Sequence, residues 1–488
     1  MPDYDVAVIG AGAAGLSVAA IAAGLGLKVA LIERGRMGGD CLNYGCVPSK
    51  ALLAAAHAAA SAREAHRFGI RLPPPEIDWT AVRAHVQGAI AHIAPNDSTA
   101  RFRGMGVDVI EASAHFTGVD EIEAGGRRLT FRRAVIAAGS SAVIPDIPGL
   151  GSVPYLTNET LFDLEEPPGH LVIIGGGPIG LEMAQAHARL GCLVTVLEAA
   201  PRVAFREDAE LVEGIRATLL RDGVTLREDA KVTGVAPMDA TVHRDASAPL
   251  RGVAVTLADG SVVEGTHLLL AVGRAPRLAG LDLAAAGVEA GSGGIRVGRD
   301  LRSRGNRRVW AIGDIADPEG PGPRAFTHVA GQHAGILVRS MLFRLPFTRV
   351  DYAALPRVTY TDPELAQVGM TEEEALQAGH ADLRIHRWPL SENDRAVAEG
   401  RPEGLVKLIV SARGRLLGAG VLAPHAGEMA GTFGLMIGRK LPLSALAGLV
   451  LPYPTLAEAG KRAAGEFYVP KLLSPFTKRI IGWLKLLP

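Results

Sequence analysis

Two of the chain's three cysteines, Cys41 and Cys46, stand five positions apart in the run Gly38-Gly39-Asp40-Cys41-Leu42-Asn43-Tyr44-Gly45-Cys46-Val47-Pro48-Ser49-Lys50. Residues five apart on a regular helix face different ways, whereas a disulfide needs its Cα atoms about 4.4–6.8 Å apart, so bonding requires the chain to bend between them. Asn43 and Gly45 are residue types that allow a bend. Pro48 suits the first turn of a helix continuing through Lys50-Ala51-Leu52-Leu53. Cys46 then falls at a helix N-terminus, where free N–H groups and the helix dipole favour a thiolate. The chemistry this pattern supports is thiol–disulfide exchange. Two reduced cysteines that merely pack are the alternative, and the buried-strand position of Cys192 reads as a core side chain.

The elements around the pair have their own signature. Asp5-Val6-Ala7-Val8-Ile9 is an apolar strand leading into Gly10-Ala11-Gly12-Ala13-Ala14-Gly15, a small-residue helix and a second strand, Val29-Ala30-Leu31-Ile32, that ends in Glu33. This is a dinucleotide fingerprint: the glycines make the tight turn and admit a pyrophosphate to the helix N-terminus, and the acid accepts hydrogen bonds from a ribose. The pattern returns 165 residues later, where Gly175, Gly177, Gly180 and Glu198 fall on the positions of Gly10, Gly12, Gly15 and Glu33. Two dinucleotides are therefore expected. A carboxylate at Glu198 would repel the extra phosphate of NADP, so NADH is expected over NADPH, with Arg202 nearby as the counter-argument.

The 488 residues suggest about three domains. Fifty-one basic and 51 acidic residues balance, which argues against a nucleic-acid binder held by a general positive field. Residues 6–27 carry no charge, but their glycines break the run into strand, turn and helix, and Asp3 and Asp5 are unlike a signal peptide. A cytoplasmic protein is expected. Helical stretches are read over 51–105 around Leu72-Pro73-Pro74-Pro75. An apolar strand, Ala134–Ser140, is read as separate from a preceding strand, Leu129–Arg133. Further apolar strands are read at Leu268–Val272 and Val309–Ile312, the latter running into Gly313-Asp314. The nucleotide signatures stop near residue 346.

With two fingerprints, the cysteine pair and Gly313-Asp314 in hand, the chain resembles the flavin-dependent pyridine nucleotide-disulfide oxidoreductases, the family of dihydrolipoamide dehydrogenase, glutathione reductase and mercuric reductase. The resemblance implies an α/β fold with two Rossmann-type dinucleotide-binding domains and a C-terminal α+β dimerisation domain. The implied bounds are 1–150 and 273–345 for the FAD domain, 151–272 for the NAD(P) domain, 346–468 for the interface domain and 469–488 for a tail. It implies FAD on Gly10, Gly12, Gly15, Glu33, Lys50, Ala114, Gly139, Asp314 and the run Ala325-Phe326-Thr327-His328. The nicotinamide coenzyme would lie on Gly175, Gly177, Gly180, Glu198, Val232 and Gly273. Glu182 would pair with Lys50 beside the flavin. Electrons would pass from NADH through the flavin to a Cys41–Cys46 disulfide, with Cys46 facing the flavin and Cys41 attacking a disulfide, metal ion or similar small-molecule or small-protein acceptor. A flavin-dependent NADH:quinone or oxygen reductase, with the cysteines outside the electron path, is the alternative.

The family resembled shows His-Pro-Thr near its end, with Glu three residues on. Here Tyr453-Pro454-Thr455 is followed by Glu458. A tyrosine with pKa about 10 donates a hydrogen bond at neutral pH but is a poor base. Mercuric reductases resemble the chain in that tyrosine, yet no cysteine follows Cys192 to supply their C-terminal pair. A homodimer is implied, in which Tyr453 and Glu458 serve the other subunit's Cys41. Beyond the family's usual end, Ser474 and Pro475 read as the start of a basic amphipathic helix. Within residues 472–488 it would either cover its own dimer or make a peripheral membrane contact.

Overall fold

The computed structural model of the chain describes residues 1–239 and 251–487. It divides into two compact units, the first comprising 1–55, 76–175 and 232–351, the second 56–75, 176–231 and 352–488.

The first unit is built on the strand β1 (Tyr4–Ile9), buried nearly throughout, which feeds the helix α1 (Ala13–Gly24) and then the strand β2 (Val29–Glu33). Continuous apolar runs of this kind suit the middle of a parallel sheet covered on both faces. β1 pairs in parallel with β2, Val6 opposite Val29, and on its other side with a later strand, Ile9 opposite Ile136. Between them come the short helix α2 (Gly39–Asn43), the long helix α3 (Cys46–Glu64), which continues into the second unit, and the helices α4 (Trp79–Ile93) and α5 (Thr99–Gly104). The strands β3 (Asp108–Glu111), β4 (Ala114–Gly118), β5 (Glu121–Ala124) and β6 (Arg127–Ile136) complete a sheet of order β3-β2-β1-β6-β5-β4, with Val309–Ala311 also on β6.

The two strands expected around Leu129–Ser140 are one. β6 pairs antiparallel with β5 at its start, Leu129 opposite Ile122, and parallel with β1 at its end. Arg132 and Arg133, expected to end the first strand, lie within the stretch already paired with β1, Phe131 opposite Tyr4 and Arg133 opposite Val6, and the chain leaves the strand at Ile136. In the same unit His170–Ile174 pairs in parallel with His267–Leu270.

The second unit holds the helix Pro178–Arg189, the parallel strands Leu193–Leu197 and Thr225–Arg227, and the helix Ala209–Arg221. It also holds an antiparallel five-stranded sheet ordered Pro356–Thr359, Glu364–Gly369, Leu416–Ala423, Leu405–Ser411, Leu383–Pro389. The core of this sheet joins Val368, Leu408 and Val421 to Phe433 of the helix Ala426–Gly438 and Ala463 of the helix Glu458–Glu466. The tail forms two helices, Val469–Leu472 and Pro475–Leu484. Ser474 caps the second as expected, its hydroxyl accepting the Thr477 N–H at 3.2 Å. The last tail residue, Pro488, lies outside the described residues.

Candidate active site

The first glycine turn is shaped by contacts that leave no room for a side chain. Gly10 has φ +105°, and a Cβ there would stand 2.4 Å from the Ala137 carbonyl oxygen; one on Gly15 would stand 1.9 Å from that of Gly10. Gly12 caps α1 and leaves the helix's first N–H groups open to an anion. At the end of β2, the Glu33 carboxylate accepts the Ala11 and Gly35 N–H groups, each at 2.7 Å. A carboxylate offers about four lone-pair sites, so ribose hydroxyls can still be accepted.

The cysteine loop is fastened to this turn. The Gly38 N–H donates to the Ala11 carbonyl at 2.9 Å, and a Cβ on Gly39 would lie 2.7 Å from Gly12 Cα. Cys41 sits on α2 and Cys46 is the first residue of α3. Asn43, expected as a bend residue, holds the bend through its side-chain amide, which donates to the carbonyls of Met37 (3.0 Å) and Gly39 (2.9 Å). A Cβ on Gly45 would come within 2.9 Å of the Asp40 carboxylate.

Cys41 is half-buried, Cys46 exposed, and both are free thiols. The Cys41 S–H donates to the Cys46 sulfur, and this bond is the largest cause that lowers Cys46, to a pKa of about 6. Burial opposes it; the Thr327 hydroxyl, 3.3 Å from the sulfur, and the Lys50 charge assist. The same bond, with burial, raises Cys41 far above a thiol's ordinary value. One sulfur of the pair is therefore a thiolate near neutrality and the other a retained proton donor.

Sequence reasoning missed the brace beside this pair. The Arg274 guanidinium donates to the Asp40 carboxylate (3.0 Å), the Ser140 hydroxyl (2.8 Å) and the Ser140 carbonyl (3.0 Å). Ser140 in turn donates to Asp314 at 2.6 Å, and the Asn158 amide bridges Asp40 (3.1 Å) and the Tyr44 carbonyl (3.2 Å). The only sequence signal was position, since Arg274 directly follows the apolar run and Gly273. Burial raises the Asp314 carboxyl above its ordinary value, against the lowering bond from Ser140. Its neighbour Gly313, φ +72°, donates its N–H to Nδ1 of fully buried His333 at 3.1 Å. Burial lowers that imidazole to about 4, consistent with an acceptor nitrogen.

Among the other expected FAD contacts, Gly139 has φ +70° with open space where a Cβ would point. Thr327 opens the helix Thr327–Leu337, preceded by Ala325 and by Phe326, whose ring stacks on His328 at 5.1 Å. Ala114 is buried in β4 opposite Ala124. The glycine cradle, which any Cβ would fill, and the half-buried Asp314 fit a bound FAD.

The second glycine turn repeats the first. Gly175 has φ +113°, and a Cβ there would stand 2.5 Å from the Ala271 carbonyl oxygen. Gly177 caps the helix Pro178–Arg189, which carries buried Gly180 and Glu182. Glu198 accepts the Gly176 and Ala200 N–H groups, again at 2.7 Å each. Arg202 is occupied by backbone, donating to the carbonyls of Ala204 (3.2 Å), Phe205 (2.9 Å) and Glu207 (3.0 Å). The Glu182 carboxylate accepts the Tyr360 N–H at 3.0 Å. Val232 opens the strand Val232–Asp239, and Gly273 has φ +126° beside open space. Tyr453 is 69% exposed and its hydroxyl donates to Asp394 at 2.7 Å, which raises the phenol's pKa. Glu458 begins the helix Glu458–Glu466.

Residues 4–334 match the pyridine nucleotide-disulphide oxidoreductase family and residues 355–464 its dimerisation domain, which supports a homodimer. The chain is 37% identical to a mercuric reductase of Streptomyces lividans, covering 95% of this chain and 96% of that one. It is 34% identical to dihydrolipoyl dehydrogenase 3 of Pseudomonas aeruginosa, covering 96% and 98%. Among solved structures it is similar to the Cu(II) complex of the HOCl-induced flavoprotein disulfide reductase RclA from Escherichia coli, with TM-score 0.81, 28% identity and coverage of 94% and 98%. It is likewise similar to LpdA from Mycobacterium tuberculosis, with TM-score 0.83, 26% identity and coverage of 95% and 99%. The two glycine turns and the cysteine pair thus belong to a chain that is a member of the FAD-dependent pyridine nucleotide-disulphide oxidoreductase family.

Proposed function

We propose that the protein oxidises NADH and delivers the electrons through Cys46 and Cys41 to a small disulfide or a soft, thiophilic metal ion. The observation that carries this reading is the split pair, with Cys46 lowered to about 6 and Cys41 holding its proton. Bound FAD would supply the two-electron relay between the nicotinamide and the cysteines. On two-electron reduction the S–S bond opens. Cys46 keeps one electron pair as a thiolate steadied by Thr327 and Lys50, and Cys41 takes up one proton. NADH supplies both electrons and that proton. Cys41 is the exchange sulfur. As it attacks the acceptor its proton passes along the hydrogen bond to the Cys46 thiolate, so that a thiolate sulfur forms the new S–S or S–metal bond and the acceptor's outgoing sulfur leaves with its electron pair. Asp40, held by Arg274, fixes the helix that presents Cys41.

NADH is the proposed donor because Glu198 offers a carboxylate to a free ribose, while Arg202, the cation four residues on, already serves three carbonyls. Tyr453, bonded to Asp394, donates rather than accepts a proton, which favours metals and ready-made disulfides over dithiols needing a base. Relatives named mercuric reductase and a copper(II) complex of a flavoprotein disulfide reductase point the same way. The proposal places the enzyme in the cytoplasm, keeps the bounds 1–150, 151–272, 273–345 and 346–468, and reserves the basic tail for a surface contact.

The test is an anaerobic NADH titration of the yellow protein beside Cys46→Ser. A long-wavelength thiolate-to-flavin band in the parent, missing from the variant, is expected. Equal bleaching in both would remove the cysteines from the electron path and leave oxygen or a quinone as the acceptor.

A further inference from the structure

The tail beyond the matched family contains a built surface that the redox chemistry does not use. Between Glu466 and residue 488 there is no acidic residue, while Lys471, Lys478, Arg479 and Lys485 are basic. The helix Pro475–Leu484 buries none of its residues. At 100° per residue, Phe476, Ile480 and Trp483 fall within one narrow arc, flanked by Leu484, with Lys478 and the C-capping Lys485 opposite and Arg479 at the edge. Phe476 is 70% exposed and Trp483 77%, which is far from the state of an aromatic side chain that has found its packing partner.

We propose that residues 469–487 lie on the surface of an anionic lipid bilayer, apolar arc down and lysines toward the headgroups. Three observations choose that occupant over a second copy of the chain. The matched dimerisation domain ends at residue 464, before the tail begins. The charge of the tail is of one sign, which an anionic surface rewards and a cover for apolar protein surface does not require. Tryptophan beside lysine and arginine is the composition that settles at a headgroup boundary. Crossing is excluded as the mode for the described residues, because none of their helices is long and apolar enough to span a membrane. Ser474 and Pro475 set the helix start in the absence of lipid, so less order remains to be imposed on binding. The proposal is independent of the acceptor's identity.

The full-length, flavin-loaded protein is tested by co-sedimentation with vesicles rich in phosphatidylglycerol and with pure phosphatidylcholine vesicles. Binding to the first, little to the second, and release by high salt are expected. Lys478→Gln/Arg479→Gln/Lys485→Gln should weaken partition by roughly a hundredfold, at about fivefold per basic residue, with flavin content and NADH turnover in solution unchanged. Brominated acyl chains should quench a tryptophan signal that Trp483→Phe lacks. No sedimentation with the anionic vesicles at low salt would overturn the proposal. So would equal partition into both vesicle types, or shielding of Trp483 from aqueous acrylamide in the lipid-free dimer, read as the difference from Trp483→Phe, which would assign the apolar arc to the second copy.

Discussion

The two glycine turns are nearly the same object built twice. Gly10 and Gly175 share a left-handed φ and the same collision with a carbonyl at the end of the neighbouring strand, and Glu33 and Glu198 each receive two N–H groups at equal distances. The match extends to the carbonyl after the first glycine. That of Ala11 accepts the Gly38 N–H at 2.9 Å, and that of Gly176 accepts the Ala204 N–H at 2.8 Å. What differs is the segment that delivers the N–H. In the first repeat it is the cysteine loop, packed so tightly that Gly39 touches Gly12; in the second it is a loop tied to itself by Arg202. The helices differ too: α1 carries no charged residue, whereas Pro178–Arg189 buries Glu182, Gln185, His187 and Arg189. The first turn suits a resident group that shares a wall with the redox sulfurs. The second suits a coenzyme that comes and goes.

That contrast is most easily broken at the glycines. Gly10→Val should yield colourless protein with almost no flavin, read from the ratio of visible to ultraviolet absorbance. Gly175→Val should stay yellow yet be reduced by NADH on the order of a hundredfold more slowly, the equivalent of about 3 kcal/mol, in stopped-flow traces. Equal loss of flavin in both variants would mean that the turns are not specialised. The acids should separate next. Glu198→Ala should cut kcat/KM for NADH by roughly ten- to a hundredfold, as loss of a charged hydrogen-bond partner worth about 1.5–3 kcal/mol would do, and leave NADPH turnover nearly unchanged because Arg202 remains occupied. Glu33→Ala should weaken flavin retention without altering the NADH to NADPH ratio; a switch toward NADPH in Glu198→Ala would show Arg202 to be available after all. The smallest effect concerns the sulfurs. Iodoacetamide should alkylate the reduced protein at Cys46 with a rate that rises through pH about 6, since the thiolate is present above that pH and lost below it. Cys41→Ala removes the donor that lowers Cys46, so the midpoint should move upward; an unmoved midpoint would deny that donor its role.

Local spacing carried much of this into the sequence. Glycines that must adopt positive φ, an acid at a strand end and Cys46 at a helix start are set by nearest neighbours and were readable. Joining Leu129–Arg133 and Ala134–Ile136 into one strand was not, because the polar arginines hide a strand that changes partners along its length. The brace of Arg274, Ser140, Asp40 and Asn158 was invisible for a different reason: each member is an ordinary polar residue in its own segment, and only the fold brings the four together. Arg202 was seen as a cation near the coenzyme's acid, but its commitment to three carbonyls depends on a loop conformation that no spacing rule encodes.

The Arg274 contact also bears on how the chain is made. Asp40 and both active cysteines are translated early, while the guanidinium that holds Asp40 lies in a segment translated far later, roughly 10–50 s afterwards at about 5–20 residues per second. Through that interval the growing polypeptide carries two adjacent thiols without their brace. Correct assembly of the enzyme then calls for surroundings reducing enough to keep both sulfurs unpaired with strangers until Arg274 has left the ribosome.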